Sequence, residues 1–254
     1  NRDAAALEGS KAFAKEIMSA ASVPTGKAWS VSTKDELIAA LESVGSPYVV
    51  KADGLAAGKG VLVTEDREAA IDHADFYLQH GDVLVEEFLS GPEVSLFFLS
   101  DGTHVVPLEP AQDYKRAFEQ DLGPNTGGMG AYSPLPWLPD GFVQEVQSCI
   151  AQPTIDEMAS RGTPFVGLLY CGLILTDEGV KVIEFNARFG DPETQVVLAR
   201  LTSPLAPLLL AAATGSLDTQ PAPIFSDDCA ITVVLASEGY PENPITGREI
   251  FGLD

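Results

Sequence analysis

The sequence predicts an α+β fold in two lobes, each built on an antiparallel sheet and facing the other across a cleft. Three observations predict it. Strand-like runs come in pairs joined by turns or loops, at 46–51 and 61–64, at 93–100 and 104–108, and at 165–176 and 180–186, the spacing of antiparallel hairpins. Capped helical segments lie between the runs of the first half. The stretch Glu86 to Gly91 separates two β-rich halves as a hinge would, and junctions of this kind are common ligand sites.

Taken in order, Ser10 is a capping residue ahead of a helix in which Phe13 and Ile17 lie four apart, and the segment ends before Val23 and Pro24. Lys11 falls in the first turn, where a cation is disfavoured, so its side chain either trails into solvent or reaches toward an anion. Thr33 and Glu36 form a capping box ahead of Leu37, Ile38, Leu41 and Val44, the buried stripe of a second helix. The loop from Ala52 to Gly60 resembles a P-loop only superficially. Gly54 to Gly58 encloses three residues rather than four, Gly60 stands where a Ser or Thr is needed, and a strand follows in place of a helix. The loop reads either as an ordinary glycine-rich hairpin turn or as a lid over phosphates, with Lys51 at its base, Gly58 and Gly60 leaving N–H groups open, and Lys59 near its tip.

Asp66 opens a third helix to about Gln79, and the run Val83 to Leu89 is a strand entering the hinge. Backbone groups of Glu87 and Leu89 are placed to read a purine edge, and Glu93 to accept from ribose hydroxyls, although each carboxylate also suits a solvated surface. Residues 109–136 are the least regular stretch, and a loop of that length in a compact domain is functional or disordered. Within it Asn125 to Gly130 offers unobstructed N–H groups to an anion or a small amino acid. A helix spans about 141–161 with a kink at Pro153. The hairpin 165–186 follows, then helices at 193–200 and 204–214, the second stopped by Gly215. From residue 222 a further domain begins.

The chemistry is expected where the strand 180–186 ends. Side chains on a strand alternate, so Val180, Val182, Glu184 and Asn186 share one face, its last two members being oxygen donors. A carboxylate and an amide oxygen make half a site for Mg²⁺, which keeps water or phosphate oxygens in its other positions. They also make an ordinary strand end, and these residues alone leave both readings open. Arg188 carries the alternation on and offers a planar donor fork to phosphate.

Composition limits the partners. With 254 residues and 45% apolar content the chain buries a substantial core. Lys and Arg total 15 against 37 Asp and Glu, a net charge of −22, which argues against a broad field for nucleic acid or anionic membrane. Any anion must be held locally. Cys149, Cys171 and Cys229 are odd in number and widely spaced, as in a reduced cytoplasmic protein. No apolar run reaches the roughly 18 residues of a membrane span. The chain starts without an initiator Met or signal-peptide core and ends soon after a strand-like run, so it reads as a piece cut at both ends.

Four stretches together resemble one known family. They are Leu7 to Lys15, Val50 to Val61, Gly123 to Pro134, and Glu184 to Gln195. In this order they resemble the ATP-grasp superfamily and, through the stretch 123–134 in particular, its phosphoribosylamine–glycine ligases, over about residues 8–240. The resemblance implies an ATP-grasp fold whose lobes clamp the nucleotide, with residues 1–221 as the ATP-grasp domain. Within it, about 23–88 would be a mobile lid lobe and about 89–221 the core lobe, and 222–254 would start a truncated C-terminal domain. It also implies a ligase of purine biosynthesis that uses ATP with Mg²⁺ or Mn²⁺ to join glycine to 5-phosphoribosylamine through a glycyl phosphate, with flanking domains of the same chain.

By the same resemblance Lys11 and Lys51 hold phosphates, as do Gly58, Lys59 and Gly60 in the loop. Glu86, Glu87 and Leu89 face adenine, and Glu93 takes the ribose. Asp113, Lys115, Thr126, Gly127, Arg188 and Asp191 lie on the substrate side, Glu184 and Asn186 bind metal, and Arg188 with Lys51 is catalytic. Phosphoryl transfer asks mainly for positioning and charge neutralisation, and these residue types supply both. Two positions depart from the pattern. Tyr114 stands where the family usually has His, and Gly172 falls where many ATP-grasp enzymes place a further carboxylate ligand. Competing readings are a ligase for another small carboxylate, which the stretch 123–134 disfavours, a catalytically silent nucleotide-binding module, and a kinase, which the loop spacing disfavours.

Overall fold

The computed structural model describes residues 2–54 and 60–252. The expected calls on Gly58 and Lys59 lie outside the described residues.

Helix α1 (Ala6–Gly9) runs into α2 (Lys11–Ala20), and the Ser10 side chain accepts from the Phe13 N–H as an N-cap. The small lobe follows: β1 (Ala28–Val31), α3 (Lys34–Val44), β2 (Tyr48–Ala52), β3 (Val61–Thr64), α4 (Arg67–Leu78) and β4 (Val83–Glu86). Both bonds of the Thr33–Glu36 capping box are present, and Asp66 caps α4. The strands form an antiparallel sheet in the order β1-β4-β2-β3. Val50, Val83 and Val85 pack with Leu37, Leu41, Ala70 and Ala74 of α3 and α4. Because side chains alternate, Lys51 and Glu86 lie on the opposite face of that sheet, toward the cleft. The short strand β1 was not anticipated from sequence.

The large lobe contains β5 (Glu93–Asp101), β6 (Val105–Pro107), β7 (Gln112–Phe118), β8 (Leu122–Ser133), α5 (Phe142–Val146), α6 (Gln152–Ser160), β9 (Val166–Thr176), β10 (Gly179–Asn186), α7 (Glu193–Arg200), α8 (Leu205–Thr214) and β11 (Ala230–Val233). Its main sheet has the order β10-β9-β5-β6 and is covered on both faces. Leu96, Phe98, Cys171 and Leu173 meet Ile17 of α2 and Ile155 and Met158 of α6 on one side. Phe97, Leu99 and Leu168 meet Val196, Val197 and Leu208 of α7 and α8 on the other. Phe97 and Phe98 are fully buried, one to each face, and burial of a phenylalanine side chain contributes about 2–3 kcal/mol.

Three expectations are corrected. Residues 109–136 are not a loop: β7 and β8 form a long antiparallel hairpin, extended by β11 into a three-stranded sheet. The glycines that suggested irregularity instead permit close approach. A Cβ on Gly130 would come 2.7 Å from the Thr232 carbonyl oxygen of the neighbouring strand. Second, the helix over 141–161 carries its irregularity at Gln147–Ala151, a π-helical turn, with Pro153 in the first turn of α6. Proline has no N–H and its ring crowds the carbonyl four residues back, and widening the turn ahead of it relieves that conflict.

The third correction matters most. The β9–β10 ladder pairs Val182 with Leu173 and Glu184 with Gly172, leaving Ile183 as an extra residue in a β-bulge. Alternation therefore breaks. Val180 and Val182 face the α2 side with Phe185, while Glu184 and Asn186 lie on the opposite face with Tyr170. The bulge turns the two oxygen donors away from the hydrophobic layer that a regular strand would have given them.

Candidate functional site

A cleft of about 350 Å³ opens between α2, the small-lobe sheet and the end of β10. It brings together Lys11, Gly60, Glu86, Glu184, Asn186 and Arg188 from the sequence-predicted set, and adds Lys15.

On its small-lobe wall, Glu86 is 5% exposed and accepts from two ammonium groups. Lys51 Nζ, from the neighbouring strand β2, is 3.1 Å away, and Lys15 Nζ, from α2, is also 3.1 Å away. Burial pushes the Glu86 carboxyl up, but the Lys51 and Lys15 charges outweigh it and hold the group below its ordinary range. Burial lowers Lys15 despite Glu86. Lys15 further donates to Thr25 Oγ1 and to the Gly26 carbonyl. The sequence reading missed Lys15, although it lies one turn after Lys11 and on the same helix face. Glu86, which the resemblance places facing adenine, lines the cleft with its carboxylate bound to the two lysines.

Lys11 does not trail into solvent but turns back along the small-lobe loop. Its Nζ donates to the carbonyls of Ala52 at 2.9 Å and Gly54 at 2.8 Å. Burial lowers its pKa, opposed by the nearby charges of Glu184 and Asp53. Asp53 takes up the start of α2, accepting from the Lys11 N–H at 2.6 Å, the Ala12 N–H at 3.3 Å and the Ser10 hydroxyl at 3.0 Å. A carboxylate at a helix N-terminus is favoured by the helix dipole, which explains why a small-lobe residue docks there.

Opposite the lysines, Asn186 Nδ2 lies 3.3 Å from Glu184 Oε1. A Cβ on Gly172 would come 3.2 Å from Glu184 Cγ, so glycine at that position leaves the carboxylate its place. The donor set is two hard oxygens with open space before them, which fits Mg²⁺ or Mn²⁺. Arg188 is oriented by Glu8, whose Oε1 accepts from Arg188 Nε at 3.1 Å while its Oε2 accepts from the Ala187 N–H at 2.8 Å.

A second polar cluster lies beyond the hinge. Lys115 Nζ sits between Glu93 at 2.7 Å and Asp113 at 3.0 Å. Burial lowers the Lys115 pKa, but the two carboxylates carry it above the ordinary lysine range. The Thr126 hydroxyl donates to the Lys115 carbonyl and accepts from the Gly128 N–H, and the Gly127 N–H donates to the Tyr240 hydroxyl. Asp191 accepts from Gln195 Nε2 at 2.6 Å. Gly128, at φ +128°, packs so closely that a Cβ would stand 2.4 Å from Pro192 Cδ, joining the glycine-rich strand to the 188–193 turn. At the hinge, Glu87 and Lys27 exchange hydrogen bonds, and Leu89 packs over Gly26. Tyr114, which departs from the family's usual His, stacks on Tyr132.

Sequence reasoning also missed a buried group behind this cluster. Glu193 is 3% exposed; its Oε1 accepts from Tyr170 at 2.6 Å and from Ser95 at 3.3 Å. Burial, then the Glu193 charge, raises the Tyr170 pKa well above its ordinary value, so that phenol stays protonated and donates. The sequence signal was slight, a lone Glu opening a helix.

Residues 9–194 match the family described as phosphoribosylglycinamide synthetase, ATP-grasp (A) domain. The chain is 66% identical to a phosphoribosylamine–glycine ligase of Leifsonia xyli subsp. xyli, covering 100% of this chain and 61% of that one. It is 62% identical to the ligase of that name from Streptomyces coelicolor, covering 99% and 60%. The chain thus spans about three fifths of the length of the curated relatives it matches. Among solved structures, it resembles the phosphoribosylamine–glycine ligase of Thermotoga maritima with a TM-score of 0.87 at 34% identity, covering 96% of this chain and 63% of that one. An N5-carboxyaminoimidazole ribonucleotide synthetase at 16% identity, with a TM-score of 0.68, shares the fold.

Proposed function

The chain belongs to the phosphoribosylglycinamide synthetase family, in its ATP-grasp domain, and from that premise we propose that the full-length protein joins glycine to 5-phosphoribosylamine at the expense of ATP. The observation that carries the reading is the cleft itself. Two lysines, Lys11 and Lys15, an oxygen-donor pair and an arginine line one space, with Lys51 bound beside them to Glu86, in a protein whose net charge of −22 would otherwise repel a polyphosphate.

In this reading Lys11, Lys15 and Lys51 receive phosphate oxygens, with Gly60 beside them. Lys11 exchanges its two carbonyl partners for phosphate when nucleotide enters. Glu87 and Leu89 lie along the adenine at the hinge, and Glu93 takes the ribose. Glu184 and Asn186 hold Mg²⁺ or Mn²⁺, which supplies neutralisation of phosphate charge when bound. Arg188 offers its planar fork to the transferring group. Asp113, Lys115, Thr126, Gly127 and Asp191 form the substrate side, where the glycine carboxylate is phosphorylated and the amine then displaces phosphate, leaving glycinamide ribonucleotide, ADP and phosphate. No protein nucleophile takes part. We further take residues from 222 on as the beginning of a following domain whose first strand, β11, is shared with the large lobe's β7–β8 sheet, and the cytoplasm as the compartment. No helix among the described residues is long and apolar enough to cross a membrane, and the three cysteines are free.

The test is ADP release by the full-length protein with Mg-ATP, glycine and 5-phosphoribosylamine, each omitted in turn. Release that requires all of them is the expected result. Release with another small carboxylate in place of glycine, or nucleotide binding without release, would overturn the proposal.

A further inference from the structure

Between the two polar clusters, residues 8–11 make hydrogen bonds in two directions. Glu8 reaches back to the end of β10, where its two oxygens take the Ala187 N–H and the Arg188 Nε. Those bonds span 179 and 180 positions in sequence, so nothing local dictates them. One residue past Gly9, Ser10 and Lys11 reach the other way, to the small lobe. Asp53 accepts from the Ser10 hydroxyl and from two backbone N–H groups of α2, while Lys11 Nζ donates to the carbonyls on either side of Asp53. The Glu8 carboxylate is 19% exposed and the Arg188 side chain 58% exposed. The arginine would sample many rotamers without that partner, and a bonded planar fork loses little further entropy on meeting an anion.

We propose that residues 8–11 are a clasp that positions both walls of the cleft: Glu8 fixes the direction of Arg188, Ser10 and Lys11 seat the small lobe through Asp53, and one turn of chain links the two grips. Glu8 and Asp53 are positioning residues and touch no reacting atom. The inference rests on the reading of Arg188 as the group that meets the transferring phosphate. Its consequence is that the seating of the small lobe and the orientation of the arginine are not independent. A helix start pulled by Asp53 moves Glu8, two residues before Ser10, and Glu8 carries the arginine.

The test is a double-mutant cycle in the full-length protein with Glu8→Gln, Asp53→Asn and the pair, following steady-state turnover and the ¹⁵N–¹H signal of the Arg188 Nε–H. Glutamine at position 8 can still accept from the Ala187 N–H but lacks the charge that holds the guanidinium. Glu8→Gln is expected to lower kcat about ten- to a hundredfold, with KM for ATP within about twofold of the parent, and to lose the slowly exchanging Arg188 signal. Asp53→Asn is expected to raise KM for ATP and to shift the same Arg188 signal although it does not touch Arg188. The combined effect on kcat/KM should depart from the product of the single effects by about threefold or more. An unchanged Arg188 signal in Asp53→Asn, or effects that multiply within about 1.5-fold, would overturn the clasp. Ser10→Ala removes one hydroxyl from the same grip and replaces Asp53→Asn if that variant does not fold. If the parent protein turns over no glycine, the proposed activity fails, while the Arg188 signal still decides whether the grips are coupled.

Discussion

The two ionic clusters, one at the cleft's small-lobe wall and one beyond the hinge, are opposite in composition. At Glu86 one carboxylate is shared by two ammonium groups, Lys15 and Lys51, in a buried setting. At Lys115 one ammonium is shared by two carboxylates, Glu93 and Asp113, in a more open one. The first has a surplus positive charge and suits a polyanion; the second has a surplus negative charge and suits hydroxyls and an amine. In the proposed reading a strongly acidic chain accommodates a polyphosphate because Lys11, Lys15 and Lys51 are concentrated at one cleft, while in the cluster beyond the hinge Glu93 is assigned to the ribose and Asp113 to the second substrate.

Removing the centre of each cluster should separate them most sharply. Glu86→Ala leaves two buried lysines facing each other, and loss of one partner from a buried ion pair costs about 3–5 kcal/mol, read as a lowered denaturant midpoint. Lys115→Met removes a cation from two carboxylates, the Asp113 side chain buried and that of Glu93 half-exposed, so a smaller loss of about 1–3 kcal/mol is expected in the same measurement. Equal losses would show that the clusters do not differ in burial as described.

Activity should break next. Glu184→Ala in the full-length protein is expected to lower Mg-dependent turnover by about a hundredfold or more while leaving the melting temperature near that of the parent. Retained turnover would remove Glu184 from the metal site.

The clusters should also fail at opposite ends of the pH scale. Glu86 has a folded pKa below its unfolded value, so its contribution is present above the ordinary glutamate pKa and is lost as pH falls through the lower folded one. Lys115 has a folded pKa above its unfolded value, so its contribution is complete below the ordinary lysine pKa and is lost as pH rises through the higher folded one. Lys11 and Lys15, lowered by burial, act the other way and favour the folded state as pH rises through the window between their folded and unfolded pKa values. Acid and alkaline melts of Glu86→Gln and Lys115→Met should therefore lose pH dependence at different ends. The smallest expected effect is this one.

Much of the small lobe was legible because its signals are local. A capping box lies within four residues, and the strands flanking the glycine-rich loop announce their own turn. What escaped reading is held by partners distant in sequence. The bulge at Ile183 follows from pairing with β9, and without it the alternation gives Glu184 and Asn186 the wrong face. The glycine-rich stretch became a strand because β7 and β11 supply hydrogen-bond partners on its two sides. Lys15, Glu8 and Asp53 are ordinary charges until the fold brings Glu86, Arg188 and the start of α2 to them. By contrast Glu184, Asn186, Arg188 and Lys51 could be singled out in the sequence because their types and spacing already matched a family pattern.

The most direct measurement of the opposed-cluster account is a pair of KM values, for ATP and for 5-phosphoribosylamine, in Lys15→Met and Asp113→Asn variants of the full-length protein. The account predicts a crossed result: Lys15→Met raises KM for ATP and leaves the amine's KM within about twofold, and Asp113→Asn does the reverse. Both variants raising the same KM, or the crossing inverted, would contradict the assignment of Lys15 to phosphate and of Asp113 to the second substrate.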